Sequence, residues 1–554
     1  MTKPVRLLLV VLIVLHAVAV LYIALRNPRH VPVGDPWRRL PVALMAYDGT
    51  LRVRDIFTPE DGHFTVFTYA MTASGVYATD WNLKYEVYVN LILAIVNFGL
   101  LLYLAYRTIG NLPVIVILIV SVGALSIRQH LNWILGYFGA WQFSLAFMLL
   151  SVVFMERFGT RWWGLLITAL FALCASFSVT GGFVTWGIVL LYLLLNRSAS
   201  AWKVRAWIAI SLGAVILYVL LGGLMSTATT VVFVQQIGAW LSAVPFMLMV
   251  IGLVFDGTQT ITGGLTIGIT SVILLSVNLW EIHRRGQHHK FVHIWLPLAV
   301  GAMGIAYMAG LKRAVEFGIE IAMSSSWYTT PMIPFWLAVL LSGVVVVYAS
   351  AQNIRESPLA IANIVFITLV MLSYPFSAVA SLQHPRSVYY RVDSQDPECL
   401  MRFIIQQTDP DACSMTDTQV NIVNQLAARQ LTTFSDVEAV TLPGIAFNDT
   451  VVLQTSSQWS ALHIKIYYMA MVPESVVHVV HTGYAENLPQ WGEMNRTTSI
   501  EAAIGNDDIS RVVLVTDGPF NPEDISALPT GFTVVDTQIY DYGITVSQLE
   551  RQVN

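Results

Sequence analysis

The sequence predicts a polytopic α-helical membrane protein that carries a soluble α/β domain at its C-terminal end. Two observations lead there. Of 554 residues, 56% are hydrophobic and only 12% are charged, against about 25% charged in an ordinary soluble domain. The deficit is also uneven. From Arg6 to about Ser381 the chain is mostly apolar runs of about 17 to 25 residues, the length a helix needs to cross about 30 Å of hydrocarbon. After that it reads like a water-soluble protein. A large soluble protein with buried helices would show amphipathic stripes instead. The net charge of −4 offers no basic excess for nucleic acid. Three cysteines exclude a disulfide scaffold and a cysteine metal site.

Taken in order, the spans fall at 6–25, 86–106, 112–127, 138–155, 162–178, 183–195, 206–224, 262–280, 292–310, 331–349 and 358–380. The first is too long for a signal peptide, and no small-residue cleavage site follows it. Lys3 and Arg6 place the N-terminus in the cytoplasm, so residues 26–85 form a long outside loop. Arg107, Arg157, Arg161, Arg197, Lys203 and Arg205 then fall on cytoplasmic turns by alternation. A twelfth apolar stretch, 239–255, is read as re-entrant. Pro245 and the flanking Gln235, Gln236 and Asp256 suit a broken element, and non-helical backbone at membrane depth is tolerated where protein surrounds it. That reading keeps His283, Arg284, Arg285, His288, His289 and Lys290 on the cytoplasmic side. Eleven spans then put the C-terminal domain outside.

The membrane domain is therefore expected over 1–381 and the extracytoplasmic α/β domain over 382–554. In the tail, Val451 to Gln454, Val476 to His481 and Arg511 to Thr516 read as short buried strands. Pro397 to Gln407, Thr418 to Arg429, Ser457 to Met469 and Ser499 to Ile504 read as helices. No glycine-rich phosphate loop is present. Cys399 and Cys413 could pair if the tail faces an oxidising compartment; Cys174, in an apolar run, reads as a small packing residue.

Chemistry concentrates in the outside loop, which holds Asp35, Asp48, Asp55, Glu60, Asp61, His63 and Asp80. Long structured loops are uncommon unless they do something. Asp35 lies only about ten residues beyond the first span, with Pro36 to stiffen the turn and Trp37 as an interfacial anchor. A carboxylate there can accept a hydroxyl proton or merely cap a helix. Glu60-Asp61-Gly62-His63 could bind a divalent cation, position a substrate, or form a polar turn. Arg128, Lys312 and Arg313, at outside span ends, are candidate phosphate ligands or snorkelling cations. His130, Asn132 and Gln142 could hydrogen-bond a sugar or join helices. Gly181-Gly182 reads as a close helix contact.

Serial motifs add a resemblance. Asp35-Pro36-Trp37, Gly49-Thr50-Leu51 leading to Asp55-Ile56-Phe57, His63, and Trp81-Asn82-Leu83 with Glu86 and Asn90 are followed by Gln129-His130-Leu131-Asn132-Trp133 with Gly136. Ala175-Ser176-Phe177-Ser178 with Gly182 and Trp186 comes next, then Phe317-Gly318 with Ser324-Ser325-Ser326-Trp327-Tyr328. Over about residues 1–435 this order resembles a bacterial branch of GT-C membrane glycosyltransferase-like proteins. The resemblance implies polyprenyl-phosphate sugars as donors and an acidic residue of the first outside loop, here Asp35, as catalytic base. It also brings Tyr328 forward as a substrate contact. The chain departs from the pattern at Phe64 and Trp327, where the relatives tend to carry basic residues.

The leading expectation is an enzyme of the bacterial plasma membrane. It would transfer a sugar from a polyprenyl-phosphate donor to a cell-envelope glycan or protein acceptor at the outer face. Asp35 would act as base, with His63 and Glu60 or Asp61 assisting and Lys312, Arg313 or Arg128 holding the phosphate. The alternative is a non-catalytic scaffold on the same fold whose soluble tail binds a partner. A transporter fits less well, because the spans carry almost no charge and show no repeat.

Overall fold

The computed structural model describes residues 3–26, 39–59, 63–110, 112–196, 200–222, 237–256, 260–286, 289–324 and 326–384, and six strands between 450 and 551. The chain divides into two compact units, Met1–Asp393 and Ser394–Asn554.

The first unit is a helical bundle. Its helices of eight residues or more are α1 (Lys3–Arg26), α2 (Leu40–Tyr47), α3 (Val66–Thr79), α4 (Lys84–Ile109), α5 (Val114–Ala124), α6 (Gly139–Phe158), α7 (Trp162–Ser176), α8 (Val184–Leu195), α9 (Ala201–Leu220), α10 (Ile237–Leu253), α11 (Ile261–Arg284), α12 (His289–Phe317), α13 (Thr329–Ala349) and α14 (Pro358–Gln383). Among the described residues, eight helices are long and apolar enough to cross a membrane. They occupy eight of the eleven ranges read as spans. Shorter apolar helices at Val114–Gln129, Trp162–Ser176 and Thr180–Leu195 occupy the other three.

Helix α13 is the buried axis of the bundle, with nearly every side chain from Thr329 to Val346 enclosed. By contrast α1, α9 and α14 expose most of their leucines, valines and isoleucines, which suits helices facing lipid rather than water. Polar side chains join the packed helices. Asn278 of α11 and Asn363 of α14 exchange two amide bonds of 2.8 Å, and Asn278 also donates to Ser342 of α13 at 3.2 Å. In hydrocarbon the alternative to such pairing is an unsatisfied amide.

The bundle has two distinguishable ends. At the basic end, α11 turns into α12; Glu281 holds both Arg284 and Arg285, and Arg285 donates to the carbonyl of Ala349. At the opposite end, here the loop end, residues 39–83 cover the helices.

Helix α10 lies wholly towards the loop end. Its first turns pack against Tyr307 and Gly310, near the far end of α12. Its last turns pack against Gly264 and Gly268, near the start of α11, where a Cβ on Gly252 would fall 1.8 Å from the Gly264 carbonyl oxygen. Helix α10 therefore packs lengthwise against the parts of α11 and α12 remote from the turn that joins them. Trp336, Ser373 and Ser377 donate to the carbonyls of Ile251, Phe255 and Val254 respectively. Helix α10 runs unbroken through Pro245 over 17 residues and is one of the shorter apolar helices.

The second unit contains a six-stranded sheet in the order β3-β2-β1-β4-β6-β5. Its strands are β1 (Thr450–Thr455), β2 (Val476–His481), β3 (Asn495–Thr497), β4 (Arg511–Asp517), β5 (Phe532–Tyr540) and β6 (Ile544–Arg551). The first four run parallel, while β6 pairs antiparallel with both β4 and β5. The three strands read from the sequence match β1, β2 and β4 to within a residue. The four expected tail helices, Cys399 and Cys413 lie outside the described residues.

Candidate functional site at the loop end of the bundle

The loop end is built on a buried ion pair. Arg39 donates from one guanidinium nitrogen to both carboxylate oxygens of Glu86, at 3.0 and 3.1 Å, and to Thr72 at 2.9 Å. Thr72 and the Trp81 indole also donate to Glu86. All four side chains are buried, so the carboxylate exchanges water for three donors from three stretches of chain. Asp80 and Trp81 take left-handed backbone conformations, φ 50° and 60°, which a bulky residue rarely adopts. The turn persists because Trp81 is fixed twice, by its indole on Glu86 and by its backbone N–H on Gly75. Gly136 completes the packing: a Cβ there would fall 1.5 Å from Glu86 Oε2.

His63 lies in an exposed stretch that docks on the loop-end turns of α7, α8 and α9. Its Nδ1 hydrogen-bonds Thr180 Oγ1, and that oxygen is 2.8 Å from the Tyr218 hydroxyl. Tyr218 in turn accepts the Phe64 backbone N–H at 3.2 Å. The Phe64 ring is fully buried, edge-on to Tyr218 at 4.8 Å and tilted against Phe177 at 5.2 Å. Phe64 therefore serves as the apolar plug that seats its neighbour, which explains an aromatic where the related pattern has a cation.

From Thr180 the contacts lead inward to one neighbourhood. A Cβ on Gly181 would meet the Trp141 ring at 3.1 Å and Ile305 of α12 at 3.4 Å. Trp141 meets Tyr328 edge-on at 5.7 Å, and Tyr328 meets Phe246 of α10 at 6.2 Å. Lys312 lies seven residues beyond Ile305, two helical turns and about 10 Å further towards the end of α12, on the same helix face. It is half-buried and Arg313 is exposed. The turn Thr180–Phe183, the start of α6, α10 and α12 thus meet around Trp141 and Tyr328.

The other candidates lie elsewhere or are engaged. Arg128 is buried and interacts electrostatically with Asp256, itself buried at the end of α10. Asn132 donates to the Trp327 carbonyl at 2.9 Å and to Thr330. Gln142 and Thr330 both donate to Gln129, and His130 Nδ1 lies 3.2 Å from the carbonyl of Ile127. This network locks the Gln129–Trp133 motif to the Ser326–Tyr328 motif. Trp327 itself stacks on Phe138 at 5.1 Å, nearly parallel. Asp35, Glu60 and Asp61 lie outside the described residues. No group of three or more metal-ligating side chains occurs among the described residues.

Thr180, Tyr218 and Trp141 were not legible as site residues. Their partners lie far away in sequence, and a hydroxyl in an apolar run carries no signal of its own.

No family model and no curated protein matches the sequence. Solved structures do. An oligosaccharyltransferase of Archaeoglobus fulgidus, in complex with Zn and sulfate, is 11% identical with a TM-score of 0.44, over 91% of this chain and 67% of that one. The archaeal oligosaccharyltransferase AglB of the same organism, with an inhibitory peptide and a dolichol-phosphate, is 13% identical with a TM-score of 0.41, over 93% and 70%. ArnT of Cupriavidus metallidurans, bound to undecaprenyl phosphate, is 14% identical with a TM-score of 0.36, over 97% of both chains.

Proposed function

We propose that the chain is a membrane glycosyltransferase that moves a sugar from a polyprenyl-phosphate-linked donor to an acceptor at the loop end of the bundle. The observation that supports the reading is the loop end itself, where exposed His63 is held on Thr180 beside Tyr218 and the turn Thr180–Phe183 packs on Trp141, which meets Tyr328. Such a place is level with lipid headgroups, where a lipid-linked phosphate presents its sugar.

In the proposed reaction the acceptor oxygen attacks the anomeric carbon and the carbon–oxygen bond to phosphate breaks. The acceptor's proton passes to the carboxylate of Asp35, and the polyprenyl phosphate leaves with the bonding electron pair. Lys312 or Arg313 balances the charge that grows on the phosphate. Arg128 is less suited to that task, since Asp256 already faces it. Glu60 and Asp61 would shape the approach to His63, with a divalent cation as an optional ligand of the same turn. The acceptor would be a glycan or protein of the cell envelope.

A scaffold reading draws on one observation: Phe64 and Trp327 fill with aromatic packing the two places where cations would be expected. The two readings part on bound lipid. Mass spectrometry of the purified protein should detect a polyprenyl-phosphate species in the wild type and in Asp35→Asn. Asp35→Asn should remain monodisperse yet lose sugar transfer by at least about a hundredfold. Wild-type protein that carries no such lipid would favour the scaffold.

A further inference from the structure

Three histidine rings form a file across the basic end of the bundle. The centroid of His283, on the last turn of α11, lies 6.2 Å from that of His289, the first residue of α12. His289 lies 6.5 Å from His293, one turn further along α12. His283 and His289 are exposed and His293 is half-buried. Permanent cations surround the file: Arg284, Arg285 and Lys290 are all exposed, and Glu281 is the one carboxylate between residues 280 and 293. Glu281 holds Arg284 at 2.8 Å and Arg285 at 2.6 Å, and Arg285 also donates to the Ala349 carbonyl. That carboxylate offsets only one of the three cations, so the turn stays basic at any protonation state of the histidines.

The rings succeed one another rather than converge, and no group of three such side chains that could hold a metal ion occurs among the described residues. The neighbouring ammonium and guanidinium groups would also repel a cation. An imidazole presents at least one N–H whether neutral or charged. The file therefore offers directed donors backed by point charges, a combination that suits a phosphate. The turn also belongs at a membrane boundary. Helices α11 and α12 are both long and apolar enough to cross, which brings the residues that join them to headgroup level. Trp280 is 61% exposed, with the Arg284 guanidinium 5.2 Å over its ring, as befits an interfacial anchor. We infer that this turn binds the headgroup of an anionic phospholipid, the histidine file donating to its oxygens and Lys290 supplying charge. The charge rule assigns this end to the cytoplasm, where anionic lipids concentrate and basic pockets between spans receive them. The inference is independent of sugar transfer, which is proposed for the opposite end.

The test is native mass spectrometry of the full chain in detergent with equal amounts of phosphatidylglycerol and phosphatidylcholine. The wild type should retain phosphatidylglycerol in preference. Lys290→Gln should weaken that retention about fivefold, the effect of one cation at an anionic surface. His289→Phe combined with His293→Phe keeps the rings but removes their N–H groups, and should also weaken it. Arg205→Gln removes an exposed cation elsewhere, near the start of α9, and should leave the preference intact. Equal retention of the two lipids by the wild type would overturn the inference. So would equal losses from Arg205→Gln and Lys290→Gln, which mean a diffuse response to charge, or a preference indifferent to the paired ring substitutions. Inorganic phosphate separates the sources of the anion. If it displaces phosphatidylglycerol where chloride of equal ionic strength does not, the site belongs to a free anion and the lipid assignment falls. Should the paired variant fail to stay monodisperse, His283→Phe, at an exposed side chain, takes its place.

Discussion

At the scale of single residues, most of the motif that links this chain to membrane glycosyltransferases turns out to be packing and hydrogen bonding. Trp81, Glu86 and Gly136 belong to one buried cluster with Arg39. Asn90 donates to the Trp133 carbonyl, and a side chain on Gly139 would collide with it. Trp186 donates to Ser176, while a Cβ on Gly182 would fall 1.9 Å from the Ala175 carbonyl oxygen. The sequence shows that such residues recur in order, but not that they meet, because their partners are dozens of residues away. Arg39 itself carried no signal, as one arginine among several in a polar loop. Its pairing makes a firm expectation: Glu86→Ala leaves a buried guanidinium without its counter-charge and should cost about 3–5 kcal/mol. Gly136→Ala should also destabilise, since the new methyl displaces the same carboxylate. Both would appear as a lowered unfolding midpoint in detergent, whereas Val53→Ala, at an exposed side chain, should leave the midpoint unchanged. Midpoints for Glu86→Ala equal to the wild type would mean that the pair contributes nothing to the fold.

At the scale of elements, length and hydropathy were sufficient for the spans because a helix in lipid must satisfy its backbone internally and reach both interfaces. They were less sufficient for α10, whose 17 residues would allow a crossing. What suggested that it does not cross was local: Pro245 inside the helix and polar residues at its flanks, while glycines at 252, 264 and 268 let α10 and α11 touch backbone to backbone. The arrangement has a measurable consequence. Gly222, just beyond α9, approaches Pro59 of the loop end, and Thr260 caps the start of α11 at that end. Single cysteines at Leu221 and Thr260 should therefore react with an impermeant maleimide from the same side of the membrane. Labelling from opposite sides would mean that α10 crosses, and the ring of elements around Tyr328 would need redrawing.

At the scale of the whole molecule, the number of crossings decides where the second unit resides. Its sheet was partly legible: β1, β2 and β4 are short valine-rich runs, the pattern that parallel strands carry. β5 and β6 mix polar and apolar residues and gave no comparable signal. The location of that unit rests on a different kind of argument, which is parity. Basic residues at the start of α1 and at the turn between α11 and α12 belong on the cytoplasmic side by the charge rule. The eleven ranges read as spans imply eleven crossings if α10 does not cross. We propose that this odd count carries the chain to the face opposite its N-terminus, outside the cytoplasm. Any acceptor that this unit recognises would then be met on the face where the proposed chemistry occurs. Cysteines at Val535 of β5, which is exposed, and at Lys290 of the basic turn test the count directly in intact cells. Val535→Cys should react with an impermeant maleimide added outside, and Lys290→Cys only after the membrane is opened. The reverse pattern would invert the whole bundle. Reaction of both from one side would require an even count, and with it the separation of the sheet from the site beside His63.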